Sequence, residues 1–452
     1  MPPGCLPRGS STSVCAPADN AGVADSAGDL QPEVRALAAP ASGVPEVAVT
    51  VDEIASAAEF LGGGHGAFAI DAERASGFRY SNRAYLIQIR RAGAGTVLID
   101  PVSHGADPLV ALAPLAAVLS TGQWVLHAAD QDLPCLAELG MTPPSLYDTE
   151  LAGRLAGFER VNLATMVAEL LGLGLAKGHG AADWSQRPLP EDWLNYAALD
   201  VEVLLDLRDA VAAVLANQGK TDWAQQEFDA LCHYTAPPTR RDRWRRTSGI
   251  HKVHSAKALA AVRELWLARD HIAQRRDISP GRILPDSAII SAAMADPDTI
   301  EKLTALAVFG GVRQRRQAQV WLDALARARQ ADPPEAEPTN GLPPPARWSR
   351  RKPEAAERLE ACRAGISELS ERYSVPAENL LAPDTVRRLC WDWQPVTDIT
   401  AAVDTALADA GARPWQRQVC GPVVVAALAT GSPGPSADSH ATDTHAAGHR
   451  DE

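Results

Sequence analysis

Three short acidic clusters stand out in this 452-residue chain. They are Asp71-Ala72-Glu73, the segment from His127 to Asp132, and the segment from Tyr196 to Asp200. Each is weak alone, because an isolated Asp-x-Glu more often ends a strand in solvent than binds an ion. Together they supply several carboxylates, whose oxygens are the ligands that Mg²⁺ and Mn²⁺ prefer. Such a set can hold two divalent cations about 3.5–4 Å apart, the arrangement that hydrolyses phosphodiesters.

Each cluster lies on or beside a predicted element that can position its carboxylates. Residues 67–73 form an apolar run with an acidic end, which predicts a buried strand whose alternate side chains share a face. The second cluster follows a likewise apolar run, but its Asp residues could instead cap the next helix. In the third, Tyr196 and Asp200 lie four apart on a helical pattern and therefore on one face. A core Tyr beside a surface Asp would give the same pattern.

The order of the predicted elements favours a mixed sheet with helices on its faces. Three consecutive strands are followed by alternating helices and strands, which is typical of such an architecture. The predicted elements are strands 67–73, 84–90 and 96–100, helix 106–119, strand 123–127, helix 131–139 and strand 145–148.

The three clusters and their flanks resemble the ribonuclease D family of 3′–5′ exonucleases, which use four acidic residues. The flanking segments that carry the resemblance are 78–89, 98–101 and 183–189. It covers residues 47–330 well and 355–430 weakly. The resemblance implies an α/β ribonuclease H-like exonuclease domain, a mixed sheet flanked by helices. One or two small all-α domains of the helicase-and-ribonuclease-D C-terminal (HRDC) type would follow it.

The resemblance also implies the residues of the site. It gives Asp132 the role of a ligand in place of Asp130, because the family's acid follows the motif His by five positions and precedes Leu. Two divalent cations, Mg²⁺ or Mn²⁺, are implied as cofactors. The implied metal-binding carboxylates, all of them also catalytic, are Asp71, Glu73, Asp132 and Asp200.

The third cluster matches the branch of the family that uses a tyrosine. Position 195 is Asn where a related branch has His, so Tyr196 is the implied catalytic residue that orients the attacking water. Two nearby positions depart from the family pattern, since Ala72 and Arg74 stand where other members have Thr and an apolar residue. Neither position is an implied ligand.

Composition and the resemblance together divide the chain into segments. Tracts rich in Ala, Pro, Gly and Ser without periodicity predict disorder, and a tract with six Pro in fifteen residues predicts a stiff linker. Residues 375–384 echo 278–286, which favours a repeated helical module, although two unrelated bundles could share one loop. The predicted segments are 1–45 disordered, 47–236 exonuclease domain, 237–252 basic linker, 253–330 HRDC domain, 331–354 Pro-rich linker, 355–430 degenerate HRDC-like domain and 431–452 disordered tail.

The basic linker is a candidate for contact with nucleic acid. Arg and Trp side chains can pair with phosphates and stack on bases. A solvated linker whose Arg residues pair with the acidic first domain is an equal alternative. The net charge of −13 argues against a chain coated for nucleic-acid binding but allows a local basic channel. The candidate residues are Arg240, Arg241, Arg243, Trp244, Arg245 and Arg246.

Cysteine spacing and hydropathy bear on the compartment. Seven scattered Cys without a Cys-x-x-Cys pair are typical of reduced thiols and offer no zinc site. No apolar run reaches the length of a membrane span, and the first residues lack the pattern of a signal peptide. We therefore expect a cytoplasmic protein without membrane contact. The sequence does not predict an oligomeric state.

Three functions fit these observations. The first is a metal-dependent 3′–5′ exoribonuclease that trims single-stranded RNA 3′ ends, with tRNA precursors as one candidate substrate, and releases 5′-phosphomonoesters. The second is the same chemistry on DNA, which the lack of polymerase and helicase motifs disfavours. The third is a non-catalytic RNA-binding protein, which the presence of all four carboxylates and Tyr196 disfavours. We further expect the helical modules to supply binding alone, so that removing 331–452 leaves a folded nuclease.

Overall fold

The structure is a computed structural model, and it describes residues 34–175, 178–234, 242–332, 334 and 341–429. Most of the two predicted disordered termini therefore lies outside the described residues. The same holds for Arg240 and Arg241 of the basic linker.

A six-stranded mixed sheet forms the centre of the first domain, as predicted. The long strands β3 and β4 are antiparallel neighbours, and the sheet order is β2-β5-β4-β3-β6-β7. Burial of apolar side chains on both faces explains the nearly continuous apolar runs of β3 and β4. The strands are β1 (Arg35–Leu37), β2 (Val47–Ala48), β3 (His65–Arg74), β4 (Ala84–Ala92), β5 (Gly95–Ile99), β6 (Trp124–Leu126), β7 (Leu146–Asp148) and β8 (Leu173–Leu175).

Helices flank this sheet. The first one begins with a capping box, in which Thr50 and Glu53 each accept a backbone hydrogen bond from the other's segment. The single helix predicted over 106–119 is interrupted at Leu112, because Pro114 in the next turn has no N–H to donate. The helices are α1 (Val51–Gly62), α2 (Pro108–Ala111), α3 (Ala113–Leu119), α4 (Leu133–Ala137), α5 (Thr149–Ala156), α6 (Leu163–Leu171), α7 (Glu191–Glu202), α8 (Leu204–Asn217) and α9 (Thr221–Cys232).

The disorder predicted for residues 1–45 is wrong for its described end. Strand β1 pairs in parallel with β8, and the Arg35 backbone N–H donates to the Gly172 carbonyl at 2.9 Å. Asn195 then holds the following segment by donating from Nδ2 to the Ala38 carbonyl at 2.9 Å. Backbone groups make these bonds whatever the side chains are, so a composition without periodicity did not reveal the strand.

A second, all-helical domain follows, with a core of its own. Trp244 and Trp321 are buried in that core together with apolar residues of the helices. The linker before it forms two short 3₁₀ turns, Arg243–Arg246 and Ile250–Lys252. The helices are α10 (Ala256–Arg276), α11 (Pro280–Ile283), α12 (Asp286–Ala295), α13 (Ile300–Thr304), α14 (Val312–Arg316) and α15 (Ala318–Gln330), with a 3₁₀ turn at Ala307–Gly310.

A third module repeats the beginning of the second. In both, a 21-residue helix ends at a residue in the left-handed conformation, Asp277 or Ser374, and a four-residue and then a ten-residue helix follow. The repeat predicted from 278–286 and 375–384 therefore has a counterpart in the fold. The helices are α16 (Trp348–Arg351), α17 (Pro353–Tyr373), α18 (Ala377–Leu380), α19 (Pro383–Asp392), α20 (Ile399–Asp409) and α21 (Pro414–Ala429), after a 3₁₀ turn at Pro345–Arg347.

The third module begins earlier than predicted. Trp348 is fully buried in its core, so the predicted Pro-rich linker 331–354 is wrong for its last part. The indole N–H of Trp348 donates to the Pro343 carbonyl at 2.7 Å, which ties the Pro-rich stretch to the module. Proline stiffens the backbone both in a linker and in a folded segment. The composition therefore did not distinguish a linker from the start of a domain.

The third module and the first domain share one hydrophobic core. The indole rings of Trp223 and Trp415 stack with centroids 4.6 Å apart, and the Trp415 N–H groups donate to Gln226 and Glu227. Lys220 Nζ donates to the Leu155 carbonyl at 2.7 Å and to a carbonyl of α17. This packing argues against the expectation that removing 331–452 leaves a folded nuclease.

The second domain contacts the first at the loop between β3 and β4. Ser279 N–H donates to the Phe78 carbonyl at 2.9 Å, and Arg282 Nε donates to the Gly77 carbonyl at 2.8 Å. Asp277 accepts hydrogen bonds from Ser81 N–H at 2.8 Å and from the Tyr85 hydroxyl at 3.3 Å. The loop that follows the first acidic cluster is thus held by the second domain.

Candidate metal-dependent active site

Three of the predicted carboxylates meet at one place. Asp71 and Glu73 lie two apart near the end of β3, and Asp200 lies on α7, which packs across β3, β4 and β5. One carboxylate oxygen from each lies within 4.8 Å of the others. The alternation of the strand and the packing of one helix therefore bring together residues that are far apart in sequence.

Gln88 supports Asp71 from the neighbouring strand. The antiparallel register places the two residues directly opposite each other, and Gln88 Nε2 donates to Asp71 Oδ2 at 2.7 Å. Gln88 is fully buried. This role was not predicted from the sequence, although a polar residue inside the apolar run of a buried strand was a usable signal.

Asp132 lies near this cluster, because the charge of Asp71 acts on its carboxyl group. Its residue is only 4% exposed, whereas Asp130 is exposed to solvent. Asp132 occupies the position before α4, yet its side chain makes no capping hydrogen bond to that helix. The alternative interpretation as a helix cap is therefore not realised. Instead, Oδ1 lies 3.3 Å from Nη2 of Arg74 in an ion pair that lacks hydrogen-bond geometry.

The loop that carries Asp132 is fixed by the start of α5. The Asp148 carboxylate accepts from the N–H groups of Ala128 and Ala129 at 3.1 and 2.8 Å. Ala128 has a φ of 61°, a left-handed conformation that these two bonds hold. The motif residue His127 contacts the Thr149 hydroxyl at 2.9 Å, and burial lowers its pKa to about 4. His127 is therefore neutral and holds the loop rather than an ion.

The four carboxyl groups repel one another in a buried place. Burial raises the pKa of all four, and the charges of neighbouring carboxylates raise it further for Glu73, Asp132 and Asp200. For Glu73 the pKa reaches about 10, although Arg74 opposes the shift. Buried carboxylates without matching positive charge need a cation to stay ionised. Four oxygen donors fit hard divalent cations such as Mg²⁺ and Mn²⁺.

Tyr196 lies one helical turn before Asp200 on α7. Burial raises the pKa of its phenol, and the charges of Asp200 and Glu73 add to the shift, so the hydroxyl stays protonated at neutral pH. Gly178 packs against the ring, and a Cβ at that position would overlap it. The His179 ring meets it edge-on at 5.9 Å. Sequence reasoning missed Gly178, whose role depends on a contact distant in sequence.

The structure changes the interpretation of the basic linker. Trp244 is 3% exposed and belongs to the core of the second domain, so the prediction that it stacks on bases is wrong. The described arginines differ in surroundings: Arg243 and Arg246 are exposed, and Arg245 lies over the Trp244 ring. An aromatic residue between arginines fits a core anchor as well as a stacking platform, and only its burial distinguishes the two.

The fold and this site together define a class of protein, the metal-dependent exonucleases. Comparison with protein families agrees. Residues 46–216 match the family described as 3′-5′ exonuclease, residues 258–325 match the HRDC domain, and residues 341–428 match the 3′ to 5′ exonuclease C-terminal domain.

Individual relatives extend the comparison over most of the chain. A ribonuclease D from Acidiphilium cryptum is 30% identical over 309 residues, which are 65% of this chain and 76% of the relative. A protein of solved structure from Bifidobacterium adolescentis is 36% identical with a TM-score of 0.79, covering 88% of this chain and 100% of that one. Escherichia coli RNase D shares the fold at 24% identity, with a TM-score of 0.59 over 80% of this chain and 98% of its own.

The chain belongs to the ribonuclease D family. It is a 3′–5′ exoribonuclease, and its family uses two divalent metal ions. The predicted family, fold class, activity and cofactors are thereby confirmed.

Proposed function

We propose that this chain removes nucleotides from single-stranded RNA 3′ ends by hydrolysis at the site formed by Asp71, Glu73, Asp132 and Asp200. The observation that carries the proposal is the convergence of three carboxylates within 4.8 Å, of which Glu73 and Asp200 are buried and Asp71 is half-buried. An isolated acidic cluster of this kind destabilises a fold. Its retention in a buried place is therefore best explained by a ligand that carries positive charge.

Each carboxylate has a role in this proposal. Asp71, Glu73 and Asp200, whose oxygens lie within 4.8 Å of one another, would together hold one cation, and Asp71 would also serve the second. Asp132 would hold the other cation. When bound, the cations supply an activated water and positive charge for the leaving 3′ oxygen. Gln88 keeps Asp71 in place through its hydrogen bond at 2.7 Å.

Tyr196 would orient the attacking water. Because the pKa of its phenol is raised by burial and by neighbouring charges, the hydroxyl does not act as a base at neutral pH. It can donate a hydrogen bond to the water or to the scissile phosphate. Gly178 and His179, on the loop before α7, hold the ring in position.

The substrate proposal rests on charge as well as family. Residues 237–330 carry 18 Lys and Arg against 9 Asp and Glu, whereas the whole chain carries 43 against 56. The linker and second domain are thus the basic part of an acidic protein, as expected of a surface that binds phosphates. The Escherichia coli relative is described as an exoribonuclease involved in structured RNA processing. We propose structured RNAs, with tRNA precursors among them, as substrates.

A cytoplasmic location is part of the proposal. The five described cysteines are all free thiols, which fits a reducing compartment. Among the helices that the structure describes, none combines the length and the apolar character needed to cross a bilayer.

The decisive experiment compares carboxylate variants on a 5′-labelled single-stranded RNA with Mg²⁺, Mn²⁺ or chelator. We expect Asp132→Asn to lower the rate by orders of magnitude, since an amide removes a charge and a ligand. Asp130→Asn is the matched control, because Asp130 is exposed and two residues away. The control is expected to keep the wild-type rate. Equal rates for both variants, or full activity in chelator, would refute the assignment.

Matched RNA and DNA oligonucleotides test the choice of substrate. A protein distinguishes the two by contacting the 2′ hydroxyl, so we expect faster turnover of the RNA strand. Digestion should start at the 3′ end and release 5′-mononucleotides, and a 3′ phosphate should block it by adding charge beside Glu73. Faster digestion of DNA would leave the metal chemistry intact and overturn the RNA preference.

A further inference from the structure

Arg74 is a cation in a site that should attract cations. It follows Glu73 directly and is the last residue of β3. The pairing of β3 with β4 shifts register between Glu73 and Arg74, so the strict alternation of the strand ends there. The guanidinium lies 3.3 Å from Asp132 Oδ1, and Nη2 also donates to Gln131 Oε1 at 3.4 Å. Its side chain is 22% exposed, so the residue borders solvent.

The four carboxylates are therefore not equivalent. Asp71, Glu73 and Asp200 form the group whose oxygens lie within 4.8 Å of one another, and Asp132 is not a member of it. Only one ion pair between described residues involves any of the four carboxylates, and it joins Arg74 to Asp132. The three-carboxylate group is open to a cation, whereas Asp132 already has a positively charged partner.

We propose that Arg74 is the counter-ion of Asp132 and that the second divalent cation must displace it to bind. This inference rests on the proposed two-cation site. The first cation binds the three-carboxylate group, which Arg74 affects only at longer range, since its ion pair is with Asp132. The second meets the guanidinium at Asp132, and like charges at that distance repel. The two cation sites of this chain consequently differ in affinity, and Arg74 is a positioning residue that sets the difference.

The partial exposure of Arg74 makes the displacement possible. The guanidinium can turn outward to solvent, or toward a phosphate of the bound RNA, without breaking the packing of the core. An RNA phosphate bound beside Arg74 would compete with Asp132 for the same guanidinium, because Arg pairs with phosphates and with carboxylates in the same geometry. Filling of the second cation site would thus be coupled to the arrival of substrate.

Calorimetric titration of the full chain with MnCl₂, without RNA, tests the inference directly. We expect wild type to bind one Mn²⁺ more tightly than the second. Arg74→Gln removes the charge and should tighten the weaker site by about tenfold or more. Arg74→Lys keeps the charge and should give an isotherm close to wild type. Arg208→Gln, which removes an arginine paired with Asp209 on α8, is the control and should change nothing.

The outcomes separate this inference from the proposed function. Two Mn²⁺ sites whose affinities are the same in wild type and Arg74→Gln would overturn the role of Arg74 and leave the two-cation site standing. Equal tightening in Arg74→Gln and Arg74→Lys would show that charge is not the cause, which also overturns it. A wild-type chain that binds no Mn²⁺ would refute both. Thermal unfolding of each variant in chelator verifies that it is folded.

Discussion

At the scale of single residues, the site is a compromise between stability and function. Strand β3 places the carboxylates of Asp71 and Glu73 close together, so their negative charges repel. Burial removes the water that would screen this repulsion. A metal-free protein is destabilised by this arrangement, and a cation relieves it. The same charge that weakens the fold makes the site bind metal.

This compromise predicts a pH dependence of stability in chelator. The folded pKa of Asp71 is raised by burial, so the folded state holds a proton that the unfolded state releases. The bound proton stabilises the folded state fully below the unfolded pKa of about 4. This stabilisation is lost as pH rises toward the folded pKa. Asp71→Asn removes the titration, so its melting temperature should exceed that of wild type by an increasing margin as pH rises above the unfolded pKa of about 4.

Differential scanning fluorimetry with and without Mn²⁺ measures both effects. Adding Mn²⁺ should raise the melting temperature of wild type more than that of Asp71→Asn, because the variant lacks a ligand. An Asp71→Asn protein that is less stable than wild type in chelator across this pH range would contradict the argument.

Tyr196→Phe separates the hydroxyl from the ring. The ring packs against Gly178 and His179, and Phe preserves both contacts. We expect an unchanged melting temperature and unchanged Mn²⁺ binding but a rate about 10- to 100-fold lower, since a positioned hydrogen bond to the reacting groups is lost. Single-turnover digestion of a short RNA gives the rate. A Phe variant that works at wild-type speed would make Tyr196 a packing residue only.

At the scale of elements, the loop between β3 and β4 links the site to the second domain. Asp277, in the left-handed conformation at the end of α10, accepts a hydrogen bond from Ser81 N–H and pairs with Arg83 at 3.6 Å. The loop begins immediately after Glu73 and Arg74. Its position therefore depends on a helix terminus that is distant in sequence.

Asp277→Ala and Asp277→Asn test this link. Ala loses the acceptor and disfavours the left-handed backbone, whereas Asn keeps an acceptor and tolerates that conformation. We expect Ala to loosen the loop by about 1–2 kcal/mol, seen as faster amide exchange at residues 77–83, and Asn to stay near wild type. Equal exchange in the two variants would show that Asp277 does not hold the loop.

At this scale, some secondary-structure elements were predicted correctly from the sequence and others were missed. The strand predicted over 67–73 is observed as β3, because a buried apolar run with β propensity has few other solutions. Strand β1 and the early start of the third module were missed, since backbone pairing and the burial of Trp348 depend on partners far along the chain. The pairing of Arg74 with Asp132 was missed for the same reason. A sequence motif indicates which residues are functional, whereas the contacts that those residues make can be identified only from the folded structure.

At the scale of the whole molecule, two helical modules of similar design are used differently. The second domain keeps its own core around Trp321 and contacts the first domain at the loop between β3 and β4, through hydrogen bonds and the packing of Tyr80. The third module merges its core with that of the first domain around Trp223 and Trp415. We infer that the third module is a structural part of the nuclease, while the second is a basic arm that meets the substrate.

Two fully buried tryptophans allow this inference to be tested with matched substitutions. Trp415 is 1% exposed and Trp321 is 0% exposed, so truncating either to Ala should cost about 3–5 kcal/mol in the unit that contains it. In Trp415→Ala, the transition that Mn²⁺ shifts should move to lower temperature, because the shared core belongs to the cation-binding domain. In Trp321→Ala, that transition should stay in place, and digestion of a short single strand should persist while structured RNA is bound more weakly. A Mn²⁺-dependent transition that responds to Trp321→Ala but not to Trp415→Ala would reverse the roles of the two modules.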